Sequence, residues 1–287
     1  MIGVIVINKP KNISSSGVVV KIKRLLNEKK VGHLGTLDPL ASGVLPVCIG
    51  KATRLFDYFL KKRKTYIAQF SFGTETDTLD LEGKVEKVCE YIPTENELFD
   101  SISHNFMGKI MQMPPDYSSK KVGGQRAYDL ARKGETIKLS PKEIEIFDFK
   151  ILEQKDTKTF EFEITCSSGT YIRALARDLA SSTKSCATMT NLIRIKSGNF
   201  SLEDSVELEN LTREKIEEKL ISLETILADF ENIEITEEQL IKLRNGIKIE
   251  VNSLKNTDKD LCILCNKGVI GIGKIANDKL QIETYFI

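Results

Sequence analysis

Gly32-His33-Leu34-Gly35-Thr36-Leu37-Asp38-Pro39-Leu40-Ala41-Ser42-Gly43-Val44-Leu45 fits neither a helix nor a strand. Gly32, Gly35 and Gly43 punctuate it, Pro39 fixes one φ and removes a donor, and no apolar period of 3.6 or 2 survives. It holds one of the chain's two histidines and an Asp directly before Pro, a pair that favours a tight turn. A constrained loop with one carboxylate at its bend presents a single reactive group to a bulky substrate. The plainer alternative is a turn in which Asp38 bonds its own backbone.

Outward from this loop the charge is uneven. The net charge is only +1 over 287 residues, but residues 1–72 carry 13 Lys and Arg against 3 acids and residues 108–142 carry 8 against 3. Residues 202–260 reverse the balance, with 8 against 16. Solvated faces explain many such runs. A net +10 on the segment holding the Asp38 loop suits a polyanion better, because basic surface gathers phosphates by counterion release.

A hydrophobic content of 41 % lets the chain bury a full core, with one large and one small domain expected. No apolar run approaches the roughly 20 residues of a membrane span. Met1–Ile7 is too short for a secretory signal, lacks a basic start, and reads as a buried strand. A cytoplasmic protein with six reduced cysteines is expected. Cys262-Ile-Leu-Cys265 stands alone as a Cys-x-x-Cys; on a strand its thiols face opposite sides, which argues against zinc. Gly268-x-x-x-x-Gly273-Lys274 begins like a phosphate loop, but Ile275 stands where Ser or Thr must hold magnesium and no helix pattern follows, so nucleoside triphosphate binding is rejected.

Around these motifs the periodicity alternates. Gly3–Asn8 reads as a strand, serines 14–16 cap a helix with Val18, Ile22, Leu25 and Leu26 inside, and an apolar strand covers Val44–Ile49. A helix is expected over Lys51–Leu60, then a strand with Tyr66, Ala68, Phe70 and Phe72 on one face. Thr94-x-x-Glu97 and Thr236-x-x-Gln239 are capping boxes, the second opening a helix that ends at Gly246. Residues 111–124 lose all period, and a helix is expected at Gln125–Lys133. Ile144–Ile151 and Phe160–Cys166 read as paired strands, and Ser167-Ser168-Gly169 turns into a helix holding Tyr171, Leu175 and Leu179. Short strands at Leu261–Cys265, Val269–Ile275 and Leu280–Phe286 close the chain. The interleaving points to an α+β fold with a mixed sheet, and from about residue 229 to a compact unit of its own.

The whole 32–45 string resembles the signature motif of the TruB family, the pseudouridine synthases that modify the T-loop of transfer RNA, in which the Asp of Gly-Thr-Leu-Asp-Pro is the catalytic nucleophile. Further blocks agree. Asn8-Lys9-Pro10 with Ser14-Ser15 is similar to the family's Lys-Pro…Ser-Ser block, with Asn12 in place of a Gly; Asn tolerates the positive φ such a turn needs. Lys64-Thr65-Tyr66 resembles the block whose Tyr stacks on the target base and takes part in proton removal. Thr76-Asp77-Thr78-Leu79-Asp80 resembles one whose second Asp lies near the flipped base or its supporting shell. Gln112–Glu135 resembles the thumb that folds over the T-arm, with Ser119 where Ala is usual. Cys166-Ser-Ser-Gly-Thr-Tyr171-Ile-Arg173 resembles the block whose Arg pairs with the nucleophile and whose Tyr lines the pocket. A guanidinium fork suits that task because it orients a carboxylate. Leu192-Ile193-Arg194-Ile-Lys-Ser-Gly198 resembles the Leu-Arg-Arg-x-x-Ser-Gly block, with Ile193 replacing the first Arg.

The resemblance implies a pseudouridine synthase fold over residues 1–228, with a mixed, mainly antiparallel central sheet flanked by helices. It implies a thumb-like RNA-binding insertion at about 111–135 and a small β-rich PUA-like domain over 229–287. Asp38, Tyr66 and Arg173 are the catalytic residues it implies; Lys9, His33, Gly35, Thr36, Leu37, Asp80, Tyr171 and Leu192 bind the RNA. The implied reaction isomerises uridine 55 of transfer RNA after the nucleotide is flipped out, His33 filling the vacated stack. It is redox-neutral and needs no metal or cofactor. Attack of Asp38 at C1′, attack at C6 and proton abstraction toward a glycal are all compatible with the residues. The partner is transfer RNA, whose folding the protein can also assist; no membrane or metal is involved, and a monomer is expected. The rivals are a non-catalytic RNA-binding or chaperone protein of the same fold, against which intact Asp38, Tyr66 and Arg173 speak, and a guide-RNA-dependent synthase, against which the bacterial-type thumb speaks.

Overall fold

The first apolar run has no helical period because both faces of its strand are covered. In Gly3–Lys9, Val4 and Val6 point to one side of a sheet and Ile5 and Ile7 to the other, all at most 1 % exposed. The computed structural model describes residues 1–287 apart from 61, 118–120, 123–124, 127–138, 252–256 and 267. Its main sheet has ten strands. Along the principal path the order is Val206–Glu207, Gly3–Lys9, Ser42–Ile49, Ala187–Ser197, Lys64–Phe72, Thr159–Cys166, Lys142–Gln154 and Gly108–Gln112. The first pair and the Ser42–Ile49/Ala187–Ser197 pair are parallel and the other pairs along this path antiparallel, so the sheet is mixed and mainly antiparallel.

Helices Ser15–Leu26, Glu95–Asn105 and Ile172–Ser182 bury their apolar stripes on one face, against Ile5, Leu45, Phe70 and Phe162. Ser14 caps the first by accepting from Gly17 N, and Thr94 with Glu97 forms the full capping box of the second. A second sheet of five strands occupies residues 231–285. Cys262, Val269, Ile272 and Phe286 from this unit share a cluster with Val4, Val6 and Val44 on the far face of the main sheet, whereas Cys265 belongs to the second unit's own core. Among the described residues no helix is long and apolar enough to cross a membrane.

Several expectations are corrected. The helix over Lys51–Leu60 is a 3₁₀ segment, Gly50–Leu55, followed by one α-turn, Phe56–Leu60, with the Thr53 hydroxyl bonded back to the Gly50 carbonyl at 2.9 Å. A strand, Gly108–Gln112, runs into the aperiodic segment as the sheet's edge. Gln125–Arg126 pairs with Lys121–Val122 instead of starting a helix, and the rest of the helix expected at Gln125–Lys133, like most of the thumb, lies outside the described residues. Tyr171 is the cap of its helix, not a member of it.

The cysteines are not all free either. Gly73 donates to Cys186 O at 2.8 Å and accepts from Cys89 N at 2.9 Å. This bracket brings the two Cα atoms to 5.9 Å, a bridging distance, and Cys89 and Cys186 form a disulfide across 97 residues of sequence. Cys48, Cys166, Cys262 and Cys265 are free and buried.

Candidate active site

The loop that carries Asp38 is held by side chains from elsewhere in the chain. Ser15, the first residue of its helix, donates to Leu37 O (2.9 Å) and accepts from Leu37 N (2.8 Å). Lys9, fully buried at the end of its strand, places its ammonium on the carbonyls of Ile13 (2.7 Å), Pro10 (2.9 Å) and Pro39 (3.3 Å). Asn12, at φ 66°, donates its N–H to Pro39 O at 2.8 Å, so the Asn accepted in place of Gly makes the turn that brings the first block onto the loop. Ala41 N closes the bend onto Asp38 O at 3.1 Å. Leu37 is buried, while the Asp38 side chain is 36 % exposed at the rim of a cleft.

Arg173 meets that carboxylate. It stands in the first turn of Ile172–Ser182, where the helix dipole disfavours a cation, and two carboxylates offset this. Its Nε lies 3.0 Å from Asp38 Oδ2 and its Nη1 lies 3.2 Å from Asp80 Oδ2. The remaining donors reach Thr78 O (2.7 Å) and Tyr117 O (3.1 Å). Asp80, only 4 % exposed, accepts from the Thr78 hydroxyl and from Glu82 N, so it is a fixed anchor behind the arginine. The helix start is itself clamped: the Gln112 amide accepts from Tyr171 N (2.9 Å) and donates to Tyr171 O (3.0 Å).

These elements enclose a cleft of about 250 Å³, lined by Gly35–Asp38, Lys64, Tyr66, Ser168–Arg173, Leu192 and Arg194. Burial pushes the Tyr66 phenol up to about 12, with the Arg194 guanidinium pulling the other way. Lys64 reaches the carbonyls of Lys62 (2.7 Å) and Phe59 (3.4 Å); burial and then Arg194 lower it to about 8. Lys9 is also lowered to about 8, by burial, with Asp38 opposing and Arg194 adding.

The cleft thus gathers Asp38, Tyr66 and Arg173 with Gly35, Thr36, Leu37, Tyr171 and Leu192. Three other expected RNA contacts do not line it. Lys9 has no exposed surface and its ammonium is spent on carbonyls, which makes it a fastener of the loop. Asp80 is covered by Arg173 and the Thr78 turn, the supporting position that its block allows. His33 is half-buried on the short strand Val31–His33, its Nδ1 buried without a partner, and burial followed by Arg194 lowers its pKa. Sequence reasoning assigned no role to Lys64 or Arg194, took Ser15 only as one of three helix-capping serines, and took Gln112 only as the start of the thumb. Each lay inside a quoted block, but nothing in the spacing distinguishes a buried lysine or arginine from a strand-end charge at the surface.

One carboxylate at the rim, a guanidinium holding it, an aromatic wall and an apolar wall can act on a flat ring carried into the cleft from a larger chain. Comparison with known proteins points to the same class. The sequence profile of TruB family pseudouridylate synthases (N-terminal domain) matches residues 23–172, just over half of the chain. Three curated relatives bear the name tRNA pseudouridine synthase B. That of Clostridium acetobutylicum is 40 % identical over 286 residues, covering 98 % of each chain. That of Clostridium perfringens is 39 % identical over 294 residues, covering 100 % of this chain and 99 % of its own. That of Rickettsia bellii is 42 % identical over 256 residues, 87 % of this chain and 86 % of its own. Among solved structures, an H/ACA RNP bound to a substrate RNA containing 2′-deoxyuridine superposes with a TM-score of 0.73 at 22 % identity, over 99 % of this chain and 85 % of the other. An archaeal box H/ACA sRNP Nop10-Cbf5 complex gives 0.70 at 24 %, over 99 % and 86 %. The fold is that of a pseudouridine synthase. The chain belongs to the TruB family.

Proposed function

We propose that the protein isomerises uridine 55 in the T-loop of tRNA to pseudouridine, acting alone and without a cofactor, as a cytoplasmic monomer. The observation that carries this reading is the 3.0 Å pairing of Asp38 with Arg173 at the rim of a cleft also walled by Tyr66 and Leu192. The name shared by relatives about 40 % identical over nearly the whole chain supports the substrate. The target nucleotide leaves the stack at a cost of a few kcal/mol and enters the cleft. Asp38 is the nucleophile, its bond to the nucleotide forming and breaking again within the cycle so that the free carboxylate returns; Tyr66 stacks on the base and Leu192 closes the other side. The N1–C1′ bond breaks, the base turns, and a C5–C1′ bond forms; C5 loses a proton and N1 gains one, so atoms and electrons balance within the nucleotide. The basic segments 1–72 and 108–142 hold the phosphates. Residues 229–287 are read as a PUA-like domain and 111–135 as the thumb over the T-arm.

The test is an unmodified tRNA transcript incubated with the pure protein, followed by mapping of pseudouridine. Wild type should place it at position 55. Asp38→Asn keeps the shape of the side chain and should leave tRNA affinity within a few-fold, with less than about a hundredth of the activity, equivalent to about 2.7 kcal/mol of barrier. Activity above that level would sink the assignment of Asp38, and modification only at another position would overturn the substrate.

A further inference from the structure

Arg194 heads the fully buried side chains by size, with 1 % of its surface exposed. A buried guanidinium is costly unless its donors are satisfied. Among the described residues no carboxylate lies within 4 Å of it, and its hydrogen-bond partners in the backbone are three carbonyl oxygens. Nε donates to Val44 O (2.7 Å), Nη2 to Gly35 O (3.1 Å) and Nη1 to Thr36 O (3.4 Å). Gly35 and Thr36 are where the chain enters the Asp38 loop, and Val44 is where it leaves. One planar group therefore bridges the two feet of the loop.

Sheet register explains why this residue can do so. Arg194 lies on the strand between the one that begins with the loop's exit and the one that bears Tyr66; it pairs with Gly43 on one side and with Tyr66 on the other. Gly43 has φ 103°, and a Cβ there would come within 2.3 Å of the Arg194 carbonyl oxygen, so the exit foot rests directly on the arginine's backbone. On the other side Arg194 stands directly opposite Tyr66 in the antiparallel register, so the two side chains share one face of the sheet. Ser15 and Lys9 hold the middle of the loop at Leu37 and Pro39, but each touches only one stretch of it.

We infer that Arg194 is a positioning residue for the isomerisation: by tying both feet of the Asp38 loop to the strand opposite Tyr66, it fixes the carboxylate and the phenol relative to each other. This rests on the reading of Asp38 and Tyr66 as the reacting pair. A residue that only fills the core would, on substitution, cost stability without a specific loss of turnover.

The test uses full-length Arg194→Lys and Arg194→Met, with Gly43→Ala disturbing the same contact from the loop side and Phe160→Leu as a buried control in the same sheet, away from the loop. Melting temperature, tRNA affinity and single-turnover rate are measured for each, at a temperature where the variant is folded. Loss of alignment by about 1 Å should cost on the order of a hundredfold in rate in both Arg194 variants, with affinity within about threefold of wild type. The ammonium of the Lys variant keeps the charge but cannot span both feet, so it should recover little of the rate. Phe160→Leu should melt earlier yet turn over normally. If Arg194→Met does not fold, Arg194→Lys and Gly43→Ala carry the test. A rate within about threefold of wild type in the Lys variant, a rate loss matched by Phe160→Leu at equal destabilisation, or weakened binding with a normal rate would each overturn the assignment. A wild-type protein that makes no pseudouridine in the same assay brings down the enzymatic reading, and this inference with it.

Discussion

Replacing Arg173 by Lys preserves the charge beside Asp38 and removes the geometry. The guanidinium holds Asp38 through Nε, Asp80 and Thr78 O through Nη1, and Tyr117 O through Nη2. A lysine brings one compact ammonium to this set and must choose. Asp80 is almost completely buried, and an unpaired buried carboxylate costs several kcal/mol, whereas Asp38 is 36 % exposed and water can solvate it. The ammonium should therefore settle on Asp80 and the Thr78 carbonyl and release Asp38. Among the described residues the one ion pair of Asp38 is with Arg173, so its side chain then wanders by about 1 Å or more. Such a misplacement costs roughly a hundredfold, or about 2.7 kcal/mol of barrier. The assay is tritium release from tRNA labelled at uridine C5, with enzyme in excess, beside a filter-binding titration. The rate should fall by about two orders of magnitude and affinity by less than about threefold. A normal single-turnover rate with weakened binding would make Arg173 an RNA contact and refute the pairing as its task.

Tyr66→Phe keeps the ring and removes the hydroxyl; tritium release should slow by about 10²–10⁴ with affinity intact if the hydroxyl moves a proton, and an unchanged rate would leave Tyr66 a stacking surface only. tRNA affinity should fall about a hundredfold or more between roughly 50 and 200 mM salt, because the basic segments meet many phosphates; a flat response would show that the RNA face is misassigned. Folded Lys9 releases its proton at about 8, whereas the unfolded lysine keeps it to 10.5, so between these values the unfolded chain binds more protons and stability should rise with pH. Urea midpoints of wild type and Lys9→Met compared at pH 7.5 and 10 should show the larger gain in wild type, since Lys64, also lowered to about 8, contributes to both; parallel shifts would mean that the Lys9 ammonium is not desolvated.

Local chemistry was legible wherever a short stretch decides it. The alternation in Phe160–Cys166 predicts a strand, and the observed Thr159–Cys166 alternates between buried and half-buried positions throughout. The 2.0 period placed Cys262 and Cys265 on opposite faces, and they enter two different clusters. Asn12 takes the positive φ expected of it. Long-range pairing was not legible. Nothing local says that Ala187–Ser197 slips between Ser42–Ile49 and Lys64–Phe72, or that Gly73 brackets two cysteines that lie 97 residues apart. Gln112 reads as the start of an aperiodic stretch, yet its amide locks a helix start 59 residues on.

The site divides along the same line. The Asp38 loop announces itself because its glycines and proline exclude every regular alternative, and the resemblance then brings Tyr66, Arg173 and Leu192 beside it. The buried cations do not announce themselves, since a Lys or Arg on a strand reads as a residue that faces water. Around this one loop the fold buries Lys9, Lys64, Arg173 and Arg194. Arg173 alone receives two carboxylates; Lys9 and Arg194 are satisfied by carbonyl dipoles, which meet their hydrogen-bonding needs while leaving their charge uncancelled. The lowered pKa values of His33, Lys9 and Lys64 each carry a contribution from Arg194, so its field reaches the wall of the cleft at Lys64 and the residues behind the loop. The charge of Arg194 is held by backbone carbonyls and does not depend on a neighbouring acid to fix its position. It is therefore present when a polyanion arrives and, in the proposed reaction, again when negative charge gathers on a base as its bond to the sugar breaks, which is where fixed charge contributes most to a rate.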